Sequence, residues 1–215
     1  LEREAEPGGS PRHANPTAFG IRDLRRVMTG PAYARRWAKL ARDAGVEVRL
    51  ETMVTEWAAD RTLLVTGPGG RTELTPAAVV LATGCRERPR SARLVPGSRP
   101  AGVITTSTLQ QLVYLQHRRV GRRAVVVGAE HVSFSAVATL AHGGASTAAL
   151  VTELERHQSL AAFKLGAALR YRVPVWTRTA VTRIDGGSRV EGVELTDLDS
   201  GETREVPCDL IVFTA

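Results

Sequence analysis

Hydrophobic positions recur in the same order twice along the chain: an amphipathic helix, short extended segments, a hairpin, then a run that is apolar at every position. From Pro31 the segment PAYARRWAKLARDAG sets Tyr33, Trp37, Leu40 and Ala44 at helical spacing, with proline in the first turn and Gly45 as a stop, which predicts a helix burying that face. A short strand is expected at 46–50, an extended stretch through Thr52, Val54 and Trp57, and a hairpin turning at 67–70 on Gly-Pro-Gly-Gly. Residues 77–82, AAVVLA, form an unbroken apolar run, the pattern of a strand buried on both faces at the centre of a parallel sheet.

The second half opens with RRAVVVGAEHVSFSAVATLAHGGA, which reads as a buried strand, a turn at Gly128 and a helix from about Val132 to Gly143-Gly144. A strand ending at Thr152-Glu153, a helix over 159–171, a strand over 173–176, an extended segment over 179–182 and a hairpin meander from Ile184 to Val206 follow, with a last buried strand at 209–213. Thr52-Met53-Val54-Thr55 matches Thr179-Ala180-Val181-Thr182, an internal repeat of 127 residues. The expected class is α/β, with two dinucleotide-type units, each carrying a β-meander, over 1–103 and 104–215. Glu153 precedes Thr179 by 26 residues and Glu2 precedes Thr52 by 50, so the first copy carries an insertion of 24 within 3–30. Gly128 lies 25 residues before Glu153, which places the equivalent glycine turn of the first copy ahead of Leu1, and leaves residues 1–103 poorly stable by themselves.

No apolar run approaches the roughly 18 residues of a membrane span, and no charged-then-apolar leader is visible, so a cytoplasmic setting is expected. The two cysteines, Cys85 and Cys208, are far apart, which argues against a CxxC redox pair, a zinc site or a disulfide framework, and no metal is expected. Cys85 reads as a small buried hydrophobe rather than a reactive thiol. The net charge of +7 comes almost wholly from arginine, gathered at Arg86, Arg88, Arg90 and Arg93 and at Arg118, Arg119, Arg122 and Arg123. With aromatics at 5% and no nucleic-acid motif, these clusters read as solvated surface, and nucleic acid is not an expected partner.

A glycine turn between a buried strand and a helix sets backbone amides and the helix dipole against a diphosphate, and an acid about 20 residues on takes the ribose hydroxyls. Gly128, Ser133 and Glu153 fit those places in the second copy. Glu130 stands where a second glycine is wanted, and two unit charges 4 Å apart repel by about 4 kcal/mol at an effective dielectric of 20. Two readings stay open: a second site that is weak or empty, and one that holds a pyridine nucleotide, for which Glu153 favours NAD over NADP. In the first copy, Glu2-Arg3, then Gly8-Gly9, then Arg12-His13 combine an acid, an open backbone turn and cations, and Ala82-Thr83-Gly84 follows the hairpin.

The series ERE-x3-GG-x2-RH, the T-x-V segment, VVLATG and the repeated second unit resemble FAD/NAD(P)-binding oxidoreductases of the pyridine nucleotide-disulfide reductase type, with two Rossmann-like units. ATGCRERPR and PGSRPAGVITTSTLQQLV are most similar to the flavoprotein subunits of opine oxidases and hydrogen cyanide synthases. The resemblance implies that Glu2 binds the adenosine ribose of FAD, that Gly8 and Gly9 lie near the cofactor, and that Val54 meets the adenine through its backbone. It also implies that Ala82, Thr83 and Gly84 pass the diphosphate and that Arg12 and His13 line the flavin site, with plain packing as the alternative for Val54 and Thr83. Relative to the family the chain lacks the first glycine turn, the flavin-binding segment beyond Ala215 and a CxxC. The activity implied is FAD-dependent oxidation of a C–N bond in an amino-acid or opine-like small molecule, with electrons passed to a partner subunit or acceptor. An NAD(P)H-dependent flavoprotein reductase and a non-catalytic interaction module are the alternatives.

Overall fold

The computed structural model describes residues 1–159 and 161–214. Leu160, inside the helix expected over 159–171, and Ala215 lie outside the described residues. By contact the chain divides into Leu1–Arg12 with Thr17–Cys85, and His13–Pro16 with Arg86–Ala215. Residues 86–103 therefore join the second unit, where Ser98 N–H donates to the Ile184 carbonyl (3.0 Å) and Gly97 bridges to Ile184.

The first unit holds β1 (Thr17–Phe19), β2 (Met28–Thr29), α1 (Gly30–Asp43), β3 (Met53–Trp57), β4 (Leu63–Gly67) and β5 (Gly70–Leu74). The Thr29 hydroxyl caps α1 by accepting the Ala32 N–H, and Gly45, at φ +75°, lets the chain leave in the left-handed conformation. The apolar face of α1 is only half realised. Ala34 is buried, but Trp37 is 44% exposed and donates its indole N–H to Asp23, which also accepts the Tyr33 hydroxyl at 2.6 Å. β3, β4 and β5 form an antiparallel meander whose middle strand buries Leu63, Leu64 and Val65. The short strand expected at 46–50 and the buried strand expected at 77–82 are absent. Val80 and Leu81 stand 87% and 73% exposed, because among the described residues no strand lies alongside 77–82 to take its backbone groups. Residues 49–52 are instead joined to the start of the chain by three backbone hydrogen bonds, between Glu2 and Arg49, Glu2 and Thr52, and Glu4 and Glu51.

The second unit realises the expected pattern. Its elements are β6 (Val103–Thr105), α2 (Thr106–Gln110), β7 (Arg123–Val127), α3 (His131–His142), β8 (Ser146–Val151), α4 (Ala161–Gly166), β9 (Val175–Trp176), β10 (Thr179–Asp185), β11 (Gly192–Asp197), β12 (Thr203–Pro207) and β13 (Leu210–Phe213). A five-stranded parallel sheet runs in the order β6-β13-β7-β8-β9. Successive residues alternate between two cores. Ala124, Val126, Leu210 and Val212 pack with Leu109, Phe134, Val137 and Leu140 of the helices, while Val125, Val127, Ile211 and Phe213 pack with Val181, Ile184, Val193 and Leu195 of the meander. Both faces are covered, which is why these strands are apolar at every position.

The internal repeat is exact to the hydrogen bond. In the β3 and β10 meanders the register shifts at the same place, between Val54 and Glu56 and between Val181 and Arg183. The Thr52 hydroxyl donates to Leu50 at 2.8 Å, and Thr179, 127 residues later, donates to Thr177 at 2.9 Å.

Two arginines expected as solvated surface are instead structural. Arg90 donates to the carbonyls of Val95 (2.9 Å), Pro96 (2.7 Å), Gly97 (3.0 Å) and Ser98, which fixes the loop leading to β6. Burial, with Arg99 nearby, lowers its pKa from the ordinary arginine value. Arg93 donates to the Thr214 carbonyl (2.8 Å) and lies over the Phe213 ring at the end of β13.

Candidate functional site

At the carboxyl ends of β7 and β13 the second unit builds the turn that the sequence marks at Gly128. Here β7 ends, Gly128 turns at φ +154°, and α3 begins three residues on with Glu130 as its N-cap residue. A side chain at Gly128 would strike Thr214 Oγ1 and come within 2.7 Å of Ser133 Oγ and 2.8 Å of Glu130 Oε2. Only glycine fits. The space that it frees is filled by those three side chains.

Glu130 folds back over the turn. Its Oε2 accepts the Ala129 N–H (3.1 Å), the Ser133 hydroxyl (3.1 Å) and the Thr214 hydroxyl (2.9 Å), while its carbonyl accepts the Ser133 N–H (3.1 Å). Ser133 and Thr214 are fully buried and 2.9 Å from one another. Ser133 can donate its one proton to the carboxylate, and the single Thr214 proton has two acceptors in reach, Glu130 Oε2 and the Val127 carbonyl (3.0 Å); a hydroxyl bond to a carboxylate is worth about 1.5–3 kcal/mol. The segment after β8 crosses the turn, where Gln158 N–H donates to the Ala129 carbonyl at 2.9 Å and His157 stands edge-on to Phe134.

Glu153 is exposed, two residues beyond the end of β8. Arg93, half-buried, has its pKa lowered first by burial and then by Arg88, while Glu130 and Glu153 pull it upward. Arg93 thus feels the charge of both Glu130 and Glu153 at this end of the sheet. Sequence reasoning placed Gly128, Ser133 and Glu153 there, treated Glu130 as a liability, and missed Thr214 and Arg93. A signal for Thr214 existed, since threonine follows an apolar strand both at Leu81-Ala82-Thr83 and at Val212-Phe213-Thr214.

In the first unit Glu2 lies beside the start of β3. Its N–H donates to Arg49 (2.9 Å), its carbonyl accepts from Thr52 (2.9 Å) and its Oε1 accepts the Glu4 N–H (3.0 Å). The second unit repeats this arrangement with Thr152, which donates to Trp176, accepts from Thr179, and takes the Leu154 N–H on its hydroxyl at 3.2 Å. By these bonds the partner of Glu2 is Thr152, one residue before Glu153, and the inserted segment is one residue shorter than the sequence count. Val54, two residues beyond Thr52, is brought near Glu2 and is 40% exposed.

Gly8, at φ +123°, is required by packing, since a side chain there would come within 2.7 Å of Ala34 Cβ. Gly9, at φ +56°, faces open space, and Arg3 is exposed and paired with Glu4. Arg12 Nε is buried without a hydrogen-bond partner and lies 3.5 Å from Glu6 Oε2, close enough for charge pairing without hydrogen-bond geometry. The charge of Arg12 is thus paired with Glu6, while its buried Nε has no hydrogen-bond acceptor. His13 is buried and belongs to the second unit. Ala82, Thr83 and Gly84 are exposed, and among the described residues no hydrogen bond joins them to the other first-unit candidates.

Cys85, expected to be buried, is exposed, whereas Cys208 is buried and its thiol is pushed up to about 11, chiefly by burial. Neither forms a disulfide. No described helix is long and apolar enough to cross a membrane.

A parallel βαβ unit with a glycine turn, joined to a meander and preceded by a second meander unit, is the architecture of flavin- and pyridine-nucleotide-dependent reductases. The chain belongs to the pyridine nucleotide-disulphide oxidoreductase family, whose model matches residues 41–215, and FAD and NAD(P)H are the cofactors of that family. It is similar to thioredoxin reductase of Lactococcus lactis (15% identity, TM-score 0.67, covering 100% of this chain and 68% of that one). It is also similar to a NAD-dependent persulfide reductase from A. fulgidus (20% identity, TM-score 0.64, 100% and 39%). A third likeness is to an ornithine N-hydroxylase from Kutzneria sp. 744 (11% identity, TM-score 0.65, 90% and 60%), whose structure carries reduced FAD, NADP+ and L-orn. At these identities the likeness establishes the fold, and the chain spans from about two thirds to about two fifths of those proteins. No curated protein matches it in sequence.

Proposed function

We propose that the protein is an FAD-dependent oxidoreductase that oxidises a C–N bond of an amino-acid or opine-like substrate directly, without a dithiol relay. The observation that sets a dithiol relay aside is the state of the two cysteines, one exposed and one buried with a raised pKa, both free and 123 positions apart, while the substrate class rests on the sequence resemblance alone. A thiolate relay needs an accessible low-pKa thiol beside a second one, and Cys208 is the reverse. Bound FAD supplies the hydride acceptor. Glu2 holds the ribose of its adenosine, Gly9 lets the backbone approach, and Arg12 supplies the charge that faces an anionic group of cofactor or substrate.

Hydride would leave the carbon attached to nitrogen for the flavin while the nitrogen gives up a proton to solvent, giving an imine that water hydrolyses to a carbonyl compound and ammonia or an amine, and the two electrons would go on to a partner subunit or acceptor. The sequence resemblance of residues 82–90 and 96–113 to opine-oxidase and hydrogen cyanide synthase subunits is the support for the substrate class, and a cytoplasmic setting accords with the free thiols.

The test is anaerobic titration of the FAD-saturated protein with amino acids, secondary-amine opines and a thiol control while the visible flavin band is followed. Bleaching by an amine and not by the thiol is the expected result. Bleaching by the thiol alone would return the protein to disulfide chemistry.

A further inference from the structure

We propose that Glu130 is a built-in anion that fills the diphosphate place of the second unit and keeps a pyridine nucleotide out of it. A dinucleotide turn works because glycine leaves a vacancy at the strand end into which the diphosphate settles, against unpaired amides at the helix start. The vacancy and two of the amides of that turn are already taken here by the chain itself. The vacancy at Gly128 is filled by Thr214, Ser133 and Glu130. The Ala129 amide donates to Glu130 Oε2 and the Ser133 amide to the Glu130 carbonyl, each at 3.1 Å. Two buried hydroxyls converge on the same carboxylate oxygen, and Gln158 N–H ties the segment after β8 to Ala129.

These donors are therefore matched to a single carboxylate on a side chain of fixed reach. A diphosphate entering the turn would have to displace that carboxylate from three donors and then remain beside its charge. Glu130 thus acts as a specificity-determining residue. The fold is retained for its packing of β7 and α3, and its nucleotide site is closed. Resting on the oxidation reading above, this also sets the direction of electron flow: hydride reaches the flavin from the organic substrate, because NADH and NADPH have no place to dock on the second unit.

Calorimetric titration of NADH and of NADPH into the protein, and into its Glu130→Gln and Glu130→Ala variants, tests the inference, with thermal melts to confirm that each variant is folded. The unsubstituted protein is expected to bind neither nucleotide more tightly than about 1 mM. Glu130→Ala, which removes both charge and acceptor, is expected to bind roughly a hundredfold more tightly, and Glu130→Gln to gain less, since its amide still occupies the turn. Submillimolar binding by the unsubstituted protein overturns the proposal, and so does a folded Glu130→Ala that gains less than about tenfold. Should either variant fail to fold, amide hydrogen exchange of residues 128–134 in the unsubstituted protein decides: protection unchanged by millimolar NADH supports the closed site, and added protection refutes it. The two readings fail separately. Tight NADH binding together with bleaching by an amine removes only the Glu130 inference, while absent NADH binding with no bleaching by any amine removes only the oxidation reading.

Discussion

The hydroxyls of Ser133 and Thr214, 81 residues apart in sequence, lie 2.9 Å from each other and both reach Oε2 of Glu130. This pair joins the start of α3 to the end of β13 and fixes which way the carboxylate points. Thr214→Val keeps the volume and removes one donor, so it should destabilise the second unit by about 1–3 kcal/mol, and Ser133→Ala should cost a similar amount. Because both serve one acceptor, the double variant should cost less than the sum of the two. Urea unfolding of the four proteins measures this, and strict additivity would mean that the hydroxyls act independently.

Gly128 and Gly144 both have positive φ, +154° and +82°, but only Gly128 is enclosed. A methyl group at Gly128 meets Thr214, Ser133 and Glu130, whereas nothing lies within 4 Å of the place it would take at Gly144. Gly128→Ala should therefore cost roughly 2–4 kcal/mol, from backbone strain plus overpacking, and Gly144→Ala only about 1 kcal/mol from strain. Equal losses in denaturant midpoint at the two positions would show that the crowding at Gly128 is relieved by side-chain movement.

How much of this was legible in the sequence depended on whether the deciding partner was local. The strands β7, β8 and β13 were readable because a strand covered on both faces must be apolar at every position, and Val125 and Val126 do face opposite cores. The repeat was readable down to a bulge, since the match of Thr52–Thr55 with Thr179–Thr182 returns as the same hydroxyl bond and the same register shift. Residues 77–82 carry the same apolar signal without the strand, because such a run shows that a segment favours burial but not whether a neighbour stands beside it. The direction of Glu130 was hidden for a related reason: its rotamer is set by a hydroxyl 84 residues away. Arg90 read as surface charge because nothing local reveals that its donors meet four consecutive carbonyls.

The environments of the two cysteines differ enough to be separated by labelling. Cys208 is buried, with its thiol pushed up to about 11, while Cys85 is exposed. At pH 8 a water-soluble thiol reagent should modify Cys85 promptly and leave Cys208 untouched, because reaction requires both access and thiolate. Adding denaturant should release the second equivalent. Two fast equivalents in native buffer would show that β12 and β13 open far more readily than their packing implies.

Asp209 offers a pH test of the strand-end bonding. Its carboxylate accepts the backbone N–H groups of Arg122 and Arg123, both at 2.9 Å, tying the start of β7 to the start of β13. Burial pushes its pKa upward, but those backbone N–H bonds, with the charge of Arg189, outweigh burial and hold it below the ordinary 3.8. A carboxylate whose folded pKa is depressed contributes stability that is present above the unfolded value and is lost as pH falls through the folded one. Asp209→Asn should therefore be less stable by about 1 kcal/mol at pH 7, and the difference should shrink through the acid range below 3.8, until the two proteins unfold at the same urea concentration. Other carboxylates with depressed values, Asp23 and Asp197 among them, lower the stability of both proteins alike as pH falls, so the difference between the curves isolates Asp209. Two curves that stay parallel from pH 7 into the acid range would show that the carboxylate contributes through its shape and not its charge.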